Sequence, residues 1–413
     1  MTANTLLTIS MISRDAAIVL GNTLDLAKRV NRDFDNDFGV KTAQIGQTIN
    51  VRRPIRPTVR TGSVVDIQAI NETYSPLSFT NPVGTDYALT SSELTFSVED
   101  YFDKVVEPSV QRIASQIEAD GHSLINKFYG LVGTPGVALT GGSAGTALPA
   151  ITKALALLNK NDAPREAGRR TLINDPDFNA VLATSNLTYF HPDAEISRMY
   201  TDGYQGDFSS FRVFMNQLVQ SHTNGTYTTA GHIATTVAAN ATWSASSTIS
   251  TAGWGATDKL NAGDVFTIAG VYMVNPQTKQ TIGTLQQFVV NSFTNDGAGN
   301  ATIVVSPAIV TTGGFQNVSA APLANAAITV AGASGVTTQN ALAFDRDAIM
   351  LATKELMPYS VGLGKTTTDD QTGIPIRVQQ MPDIRTNQEI LRFDVMYAWA
   401  TLYDQLGVRI ATS

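Results

Sequence analysis

Between residues 221 and 340 the chain loses helical periodicity altogether. Short β runs recur there between turn signals, at 232–238, 265–274, 285–293, 301–305 and 326–330. Asn295-Asp296-Gly297 lies between two of them and reads as a hairpin turn. The segments on either side read as mixed helix and strand. A β module therefore interrupts something whose parts lie both before and after it, and this limits the fold more than any other feature.

The strongest run in the module is GDVFTIAGVYMV, residues 263–274. It is apolar on both faces. Strict alternation puts Phe266, Ile268, Tyr272 and Val274 on one side and Val265, Ala269, Val271 and Met273 on the other. A small closed barrel buries one such face inside, and a loop or neighbouring surface covers part of the other. Gly270 falls where a bulge or barrel bend is expected. The run is predicted to belong to the insert's own core and not to the main body.

The flanks read as projecting parts around a mixed body. Residues 11–34 carry a helical stripe of Ile12, Ala16, Val19, Leu20, Leu24, Leu26, Ala27 and Val30, with Ser13 as a cap. Followed by polar DFDNDFG, this reads as an arm and not as a core element. Residues 45–96 alternate, with Pro54 and Pro57 excluding a central strand. They read as a long projecting β-hairpin. Residues 99–128 form the clearest helix, through Val105, Val110, Ile113, Ile117, Leu124, Ile125 and Phe128. Pro108 either kinks it or marks a restart at the first turn; unbroken, it spans on the order of 40 Å. Next come a Gly/Pro-rich link, a helix at 151–158, a strand at 170–173, a helix opened by Asp175-Pro176 and a shorter helix at 193–200. After residue 341 the pattern predicts a helix at 346–356 and strands at 376–381 and 391–395, the last continued by 396–402.

Composition excludes several function classes. Hydrophobic residues make up 43% and charged residues only 15%, below the roughly 25–35% of an ordinary soluble surface. Either other copies of the chain cover much of the surface, or abundant Thr keeps it wet. A net charge of −7 argues against gripping nucleic acid through its phosphates, though a container need not grip. With no cysteine there is no disulfide, thiolate metal site or thiol nucleophile, which suits a reducing cytoplasm. The N-terminus lacks the pattern of a signal peptide. No stretch approaches about 18 apolar residues, so no membrane span is expected.

The chemical motifs lack their contexts. GGSAG, residues 141–145, matches a nucleophile elbow with Ser143, but sits in a long glycine-rich stretch and has no recognisable acid–histidine partner. A flexible loop is the stronger reading. Asp33, Asp35 and Asp37 imitate a calcium loop that lacks its glycine and closing glutamate. GLGKTT, residues 362–367, lacks the leading glycine of a phosphate loop and reads as a mobile loop. His222 and His232 read as exposed. No catalytic residue, metal ligand or cofactor site survives. Arg52, Arg53, Arg56 and Arg60 remain: always-charged planar forks suited to carboxylates on another surface, against the alternative of a solvated hairpin.

This inventory resembles the major capsid proteins of tailed phages with the HK97-type fold, and more closely the P22-type coat proteins, which carry an inserted β-barrel. The resemblance rests on KLNAGDVFTIAGVYMVNPQT (259–278), GTLQQFVVNSF (283–293), NATIVVSPAIV (300–310) and the closing ILRFDVMYAWATLYDQLGVRIAT (390–412). It implies an α+β, HK97-like capsid fold. The N-terminal arm would take 1–44, the extended loop 45–96, the spine helix and first part of the peripheral and axial domains 97–220, the inserted barrel 221–340, and the second peripheral and axial part 341–413. It also implies a virion protein assembled in the host cytoplasm, with hexamers and pentamers closing into an icosahedral shell around double-stranded DNA. A separate scaffolding protein and a portal would act during assembly, and a decoration protein is left open. Arg52, Arg53, Arg56 and Arg60 are the candidate inter-subunit contacts. The alternatives are a secreted or tail-associated β-rich adhesin and, further off, a serine hydrolase using Ser143.

Overall fold

The computed structural model describes residues 9–32, 48–57, 59–60, 62–65, 67, 72–79, 82–90, 106–142, 144–166, 168–189, 207–238, 240, 242–359, 363–369, 372–383 and 385–413. In chain order its elements are α1 (Ile9–Thr23), β1 (Thr48–Arg53), β2 (Thr73–Ser78), β3 (Val83–Thr90), α2 (Glu107–Ser123), β4 (Gly130–Val132), α3 (Ala147–Lys160), β5 (Arg170–Asn174), α4 (Pro176–Tyr189), β6 (Asp207–Phe208), β7 (Phe211–Met215), β8 (Ser221–Thr223), β9 (His232–Ile233), β10 (Ser247–Ala252), β11 (Val265–Val274), β12 (Thr281–Asn295), β13 (Asn300–Ser306), β14 (Ile328–Val330), β15 (Thr337–Asp345), β16 (Ile349–Thr353), β17 (Leu363–Thr368), β18 (Pro375–Asp383), β19 (Gln388–Val395), β20 (Tyr397–Thr401) and β21 (Gly407–Ala411). The chain divides into two compact units. One takes residues 1–51, 75–122 and 349–400, the other 52–74, 123–348 and 401–413.

The first unit is built on an antiparallel sheet in the order β17-β18-β19-β3. Ile376, Val378, Phe393 and Val395 share one face and are fully buried. Helix α1 packs on β17 and β18, burying Ile12, Ala16 and Leu20, and Thr367 donates to the Ser13 hydroxyl at 2.8 Å. The stripe read as an arm is therefore core. The helix also stops at Thr23, where the sequence predicts continuation to 34, and resumes only as a tight turn at Leu26–Lys28. Two further expectations fail here. GLGKTT is not a mobile loop, because residues 363–367 lie in β17 and pair with β18. Among the described residues, the hairpin predicted over 45–96 keeps its β1–β2 ladder, while β3 pairs along its whole length with β19.

Glu118 of α2 explains where α1 ends. Its carboxylate accepts the backbone N–H groups of Asp25, Leu26 and Ala27 at 2.9, 2.9 and 3.1 Å. These are the orphan donors at the start of the 26–28 turn. Pro108 sits in the first turn of α2, so it starts the helix rather than kinking it. At 17 residues α2 spans about 26 Å, shorter than the predicted spine, and Leu124–Lys127 tightens into a 3₁₀ turn.

One turn beyond Glu118, His122 is fully buried, and neither ring nitrogen has a hydrogen-bond partner. Burial pushes its pKa down to about 4. A depressed pKa contributes stability that is present above about 6.5, the unfolded value, and is lost as pH falls toward 4. Glu118, 3.8 Å away, is pushed up by burial and acts in the opposite sense, its share being lost as pH rises. Relative to a His122→Leu variant, the wild-type subunit is expected to lose about 3 kcal/mol between pH 6.5 and 4. Urea unfolding at a series of pH values measures this; parallel curves for the two proteins refute it.

The helix predicted over 346–356 is instead a short 3₁₀ turn at Arg346–Ala348 followed by β16, buried at every position. A short run apolar all round satisfies helix and strand periods alike. Strand β16 pairs with β20, and β19 breaks at Met396 instead of continuing to 402.

The second unit holds a mixed sheet in the order β4-β21-β15-β5-β7-β6, with β8 paired to β15. Strands β5 and β21 are buried at every position, and α3 packs on β21 and β4. Asp175 caps α4, accepting the Phe178 N–H at 3.3 Å. The predicted helix at 193–200 lies outside the described residues.

The same unit carries the six-stranded sheet β14-β11-β12-β13-β10-β9. Its two edges meet. Ile233 N–H donates to Ala326 C=O at 3.0 Å, and Ile328 N–H to Gly231 C=O at 3.1 Å, so the sheet closes into a small barrel. Phe266, Ile268, Phe288, Ile303, Val305 and Ile328 fill it. Strand β10, STISTA, was not expected; its buried Ser, Ile and Thr alternate with exposed hydroxyls. The run predicted at 232–238 shrinks to two residues.

Gly270 has φ +81°, where β11 loses register against β12 between Thr267 and Tyr272. This is the expected bulge, and it inverts the faces beyond it. Phe266 and Ile268 point inward before it, Val271 and Met273 are buried after it, and Tyr272 is exposed. The predicted alternation therefore holds only for the first half of the run. Nor is β11 the insert's alone, because Val265 and Val289 pack with Tyr129, Leu131 and Ala411 of the mixed sheet's surroundings.

Candidate assembly surface

The arginine-bearing segment that begins at the end of β1 has a root and a tip with different chemistry. At the root, the Arg53 guanidinium lies 4.6 Å from the Trp243 ring centroid and 5.3 Å from that of Tyr403. Desolvation lowers its pKa, an effect the Asp404 carboxylate opposes. A cation between two aromatic faces is held by the ring quadrupoles as well as by packing. Arg56 lies over Phe315 at 5.8 Å. Its carbonyl oxygen comes so near Gly314 that a Cβ there would sit 1.8 Å away, so only glycine permits the approach. Lys279 closes the contact by donating to Gly314 C=O at 2.7 Å. Two of the four predicted arginines thus serve this chain's own second unit, seating the segment on the barrel loops.

The tip is different. Arg60 curls back onto the carbonyls of Gly62 and Val64. Arg52 reaches Glu72 at 3.6 Å with most of its side chain in water. Val59, Val64, Val65 and Ile67 are between 72% and 93% exposed. Four β-branched side chains within nine positions are thus left largely uncovered by the described residues, a concentration unusual for a free surface.

No catalytic arrangement accompanies it. Ser143 lies outside the described residues. On either side of it, Thr146 N–H donates to Thr140 C=O at 2.9 Å, and Thr140 N–H to the Thr146 hydroxyl at 3.0 Å. His191 and the Asp33–Asp37 cluster also lie outside the described residues. Among those described, no group of acidic and histidine side chains could hold a metal ion, and no helix is long and apolar enough to cross a membrane. His222 is not exposed as predicted. It is buried, with Nε2 2.7 Å from Asp264 Oδ1, an acid–histidine pair that sequence reasoning missed. Asp264 is not a free orienting acid, since its other oxygen accepts the Gly225 and Asn261 N–H groups at 3.0 and 2.8 Å. His232 is half-buried in the barrel seam.

A mixed α+β body, a segment with exposed apolar side chains at 59–67 and a small barrel-like sheet suit an HK97-like fold. A solved structure from Mycobacterium phage Che8 aligns over 94% of this chain and 90% of its own, at 11% identity and TM-score 0.51, which shows the fold. The capsid structure of the cyanophage P-SCSP1u aligns over 90% and 84% at 9% identity and TM-score 0.43. The CUS-3 coat protein I-domain aligns over 27% of this chain and 96% of its own at 28% identity and TM-score 0.19. No curated protein matches. The family described as P22 coat protein, gene protein 5, matches residues 2–411, and the chain belongs to it. It is a structural coat protein of the virion, a major capsid protein that forms the shell, and not an enzyme.

Proposed function

We propose that this chain closes through hexamers and pentamers into an icosahedral shell around double-stranded DNA, in the cytoplasm of the host. A separate scaffolding chain and a portal take part during assembly, and the outer surface leaves room for a decoration protein. The observation that carries the reading is the segment at 52–67, rooted on its own barrel and apolar at its exposed tip. It makes physical sense only where a neighbouring copy covers it. The net charge of −7 fits a wall that encloses DNA without neutralising it.

Within this reading the four arginines divide the work. Arg53 and Arg56 hold the segment's direction, and Arg52 and Arg60 meet carboxylates of a neighbour. A double Arg52→Glu, Arg60→Glu variant is expected to stay folded while shell yield falls at least about tenfold, the effect of losing ~1.4 kcal/mol per contact. Arg53→Glu is expected to lower the subunit's own melting temperature. Electron microscopy of the products, expressed alone and with a scaffolding chain, reads assembly, and circular dichroism reads folding. Normal shells from the double variant end the contact assignment. The absence of closed shells from the wild type under both conditions ends the shell reading itself.

A further inference from the structure

A small cavity of about 10 Å³ lies where the barrel joins the mixed sheet, bounded by His222, Asn224, Gly263, Thr338 and Arg409. It has room for about one particle the size of a water. Arg409, on β21, is only 2% exposed, and its Nε and Nη2 have no hydrogen-bond acceptor. These two nitrogens carry the donors that share one edge of the guanidinium fork, so a single acceptor can take both. The Thr338 hydroxyl, also in the wall, is buried and without a partner.

Asp264 and the Asn224 amide nitrogen, both nearby, are committed. The Asp264 carboxylate takes His222 and two backbone N–H groups. Asn224 gives its amide hydrogens to the carbonyls of Ala331 and Ala333. The wall's buried side-chain atoms without a partner, Nε and Nη2 of Arg409 and the Thr338 hydroxyl, are therefore all able to donate, and one of the groups is a cation. Burial pushes the Arg409 pKa down to about 10, an effect Asp264 opposes, so the charge persists at neutral pH. A water in such a place must also find acceptors for its own hydrogens, whereas an anion needs only donors.

We propose that this cavity binds one halide-sized anion, chloride being the common case, held by Nε and Nη2 of Arg409 and by the Thr338 hydroxyl. The anion would tie together two pieces of the second unit: the strand that leads out of the insert (Thr338) and the last strand of the sheet (Arg409). Its position puts it at the barrel's root, where a bound ion stiffens the joint.

The test uses the unassembled full-length subunit at a fixed ionic strength of about 0.1 M, with sodium gluconate exchanged for chloride or bromide. A saturable rise in melting temperature of roughly 2 °C is expected with either halide. Thr338→Val removes one donor at nearly constant volume and is expected to weaken the apparent halide affinity about tenfold. Arg409→Met is expected to abolish the halide dependence; should it fail to fold, Thr338→Val carries the same comparison. Bromide-soaked crystals are expected to show an anomalous peak beside the Arg409 fork. Equal melting in gluconate and halide, an unchanged response in Thr338→Val, or ordered density at the fork without a bromide signal would each overturn the proposal, the last in favour of a structural water.

Discussion

Glu118→Ala is expected to destabilise the folded subunit by about 3–5 kcal/mol, measured by urea unfolding before assembly. Among the described residues, this carboxylate is the side-chain acceptor for three backbone N–H groups, of Asp25, Leu26 and Ala27. Leu26 and Ala27 are fully buried, so water does not replace it. Each unsatisfied buried donor costs roughly 1–3 kcal/mol. The burial of Glu118 works against its charge and raises its pKa, which offsets part of the gain and sets the estimate at the lower end of the sum. Glu118→Gln gives a graded control. Its remaining oxygen can still serve Asp25 and Ala27, but its amide nitrogen faces the Leu26 N–H, so about half the loss is expected. The destabilisation should appear first as protease cleavage near residue 25, since α1 is held at that end by this carboxylate. A loss under about 1 kcal/mol for Glu118→Ala, or equal losses for the two variants, would show that the three donors find other acceptors.

The elements legible in the sequence were those whose period repeats often enough to exclude alternatives. The stripes of α1 and α2 and the long barrel strands β11, β12 and β13 belong to that group. Ile349–Thr353 was not, because five buried residues in a row fit either period. Ser247–Ala252 was missed for the opposite reason. Hydroxyl side chains occupy two of its three inward positions, Ser247 opposite Val305 and Thr251 opposite Ala301 on the neighbouring strand, so the alternation carries little hydrophobic contrast. In β11 the glycine was legible but its effect on side-chain direction was not, since a bulge changes the parity of everything beyond it.

The site divides along the same line. That arginines cluster at 52–60 is plain from the sequence. That Arg53 belongs to Trp243 and Tyr403, and Arg56 to Phe315, depends on aromatic residues brought close only by the fold. The His222–Asp264 pair spans 42 positions, with no local pattern to announce it. The exposed tip was the part nearest to hand. Val59, Val64, Val65 and Ile67 could have been singled out as β-branched residues in a segment whose prolines and arginines rule out a central strand.

Those four residues carry the other large effect. A variant with Val59, Val64, Val65 and Ile67 all replaced by serine is expected to fold as the wild type does and to form no shells. The fold should be indifferent because the side chains are already 72% to 93% exposed, and surface substitutions of that kind move stability by about 0.5 kcal/mol or less. Assembly should not be indifferent. Covering one such side chain contributes on the order of 1.5 kcal/mol, so Val59→Ser alone should raise the subunit concentration needed for shell formation roughly tenfold. On the proposed reading the effect compounds in a closed shell, where each copy would both present a tip and receive one. With all four replaced, the losses exceed what a weak, repeated contact supplies. Light scattering across a range of subunit concentrations measures the shift, and sedimentation separates shells from free subunits. If the quadruple variant forms shells at the wild-type concentration, the tip is not the covered surface, and the shell must be held through the sheet and barrel faces instead.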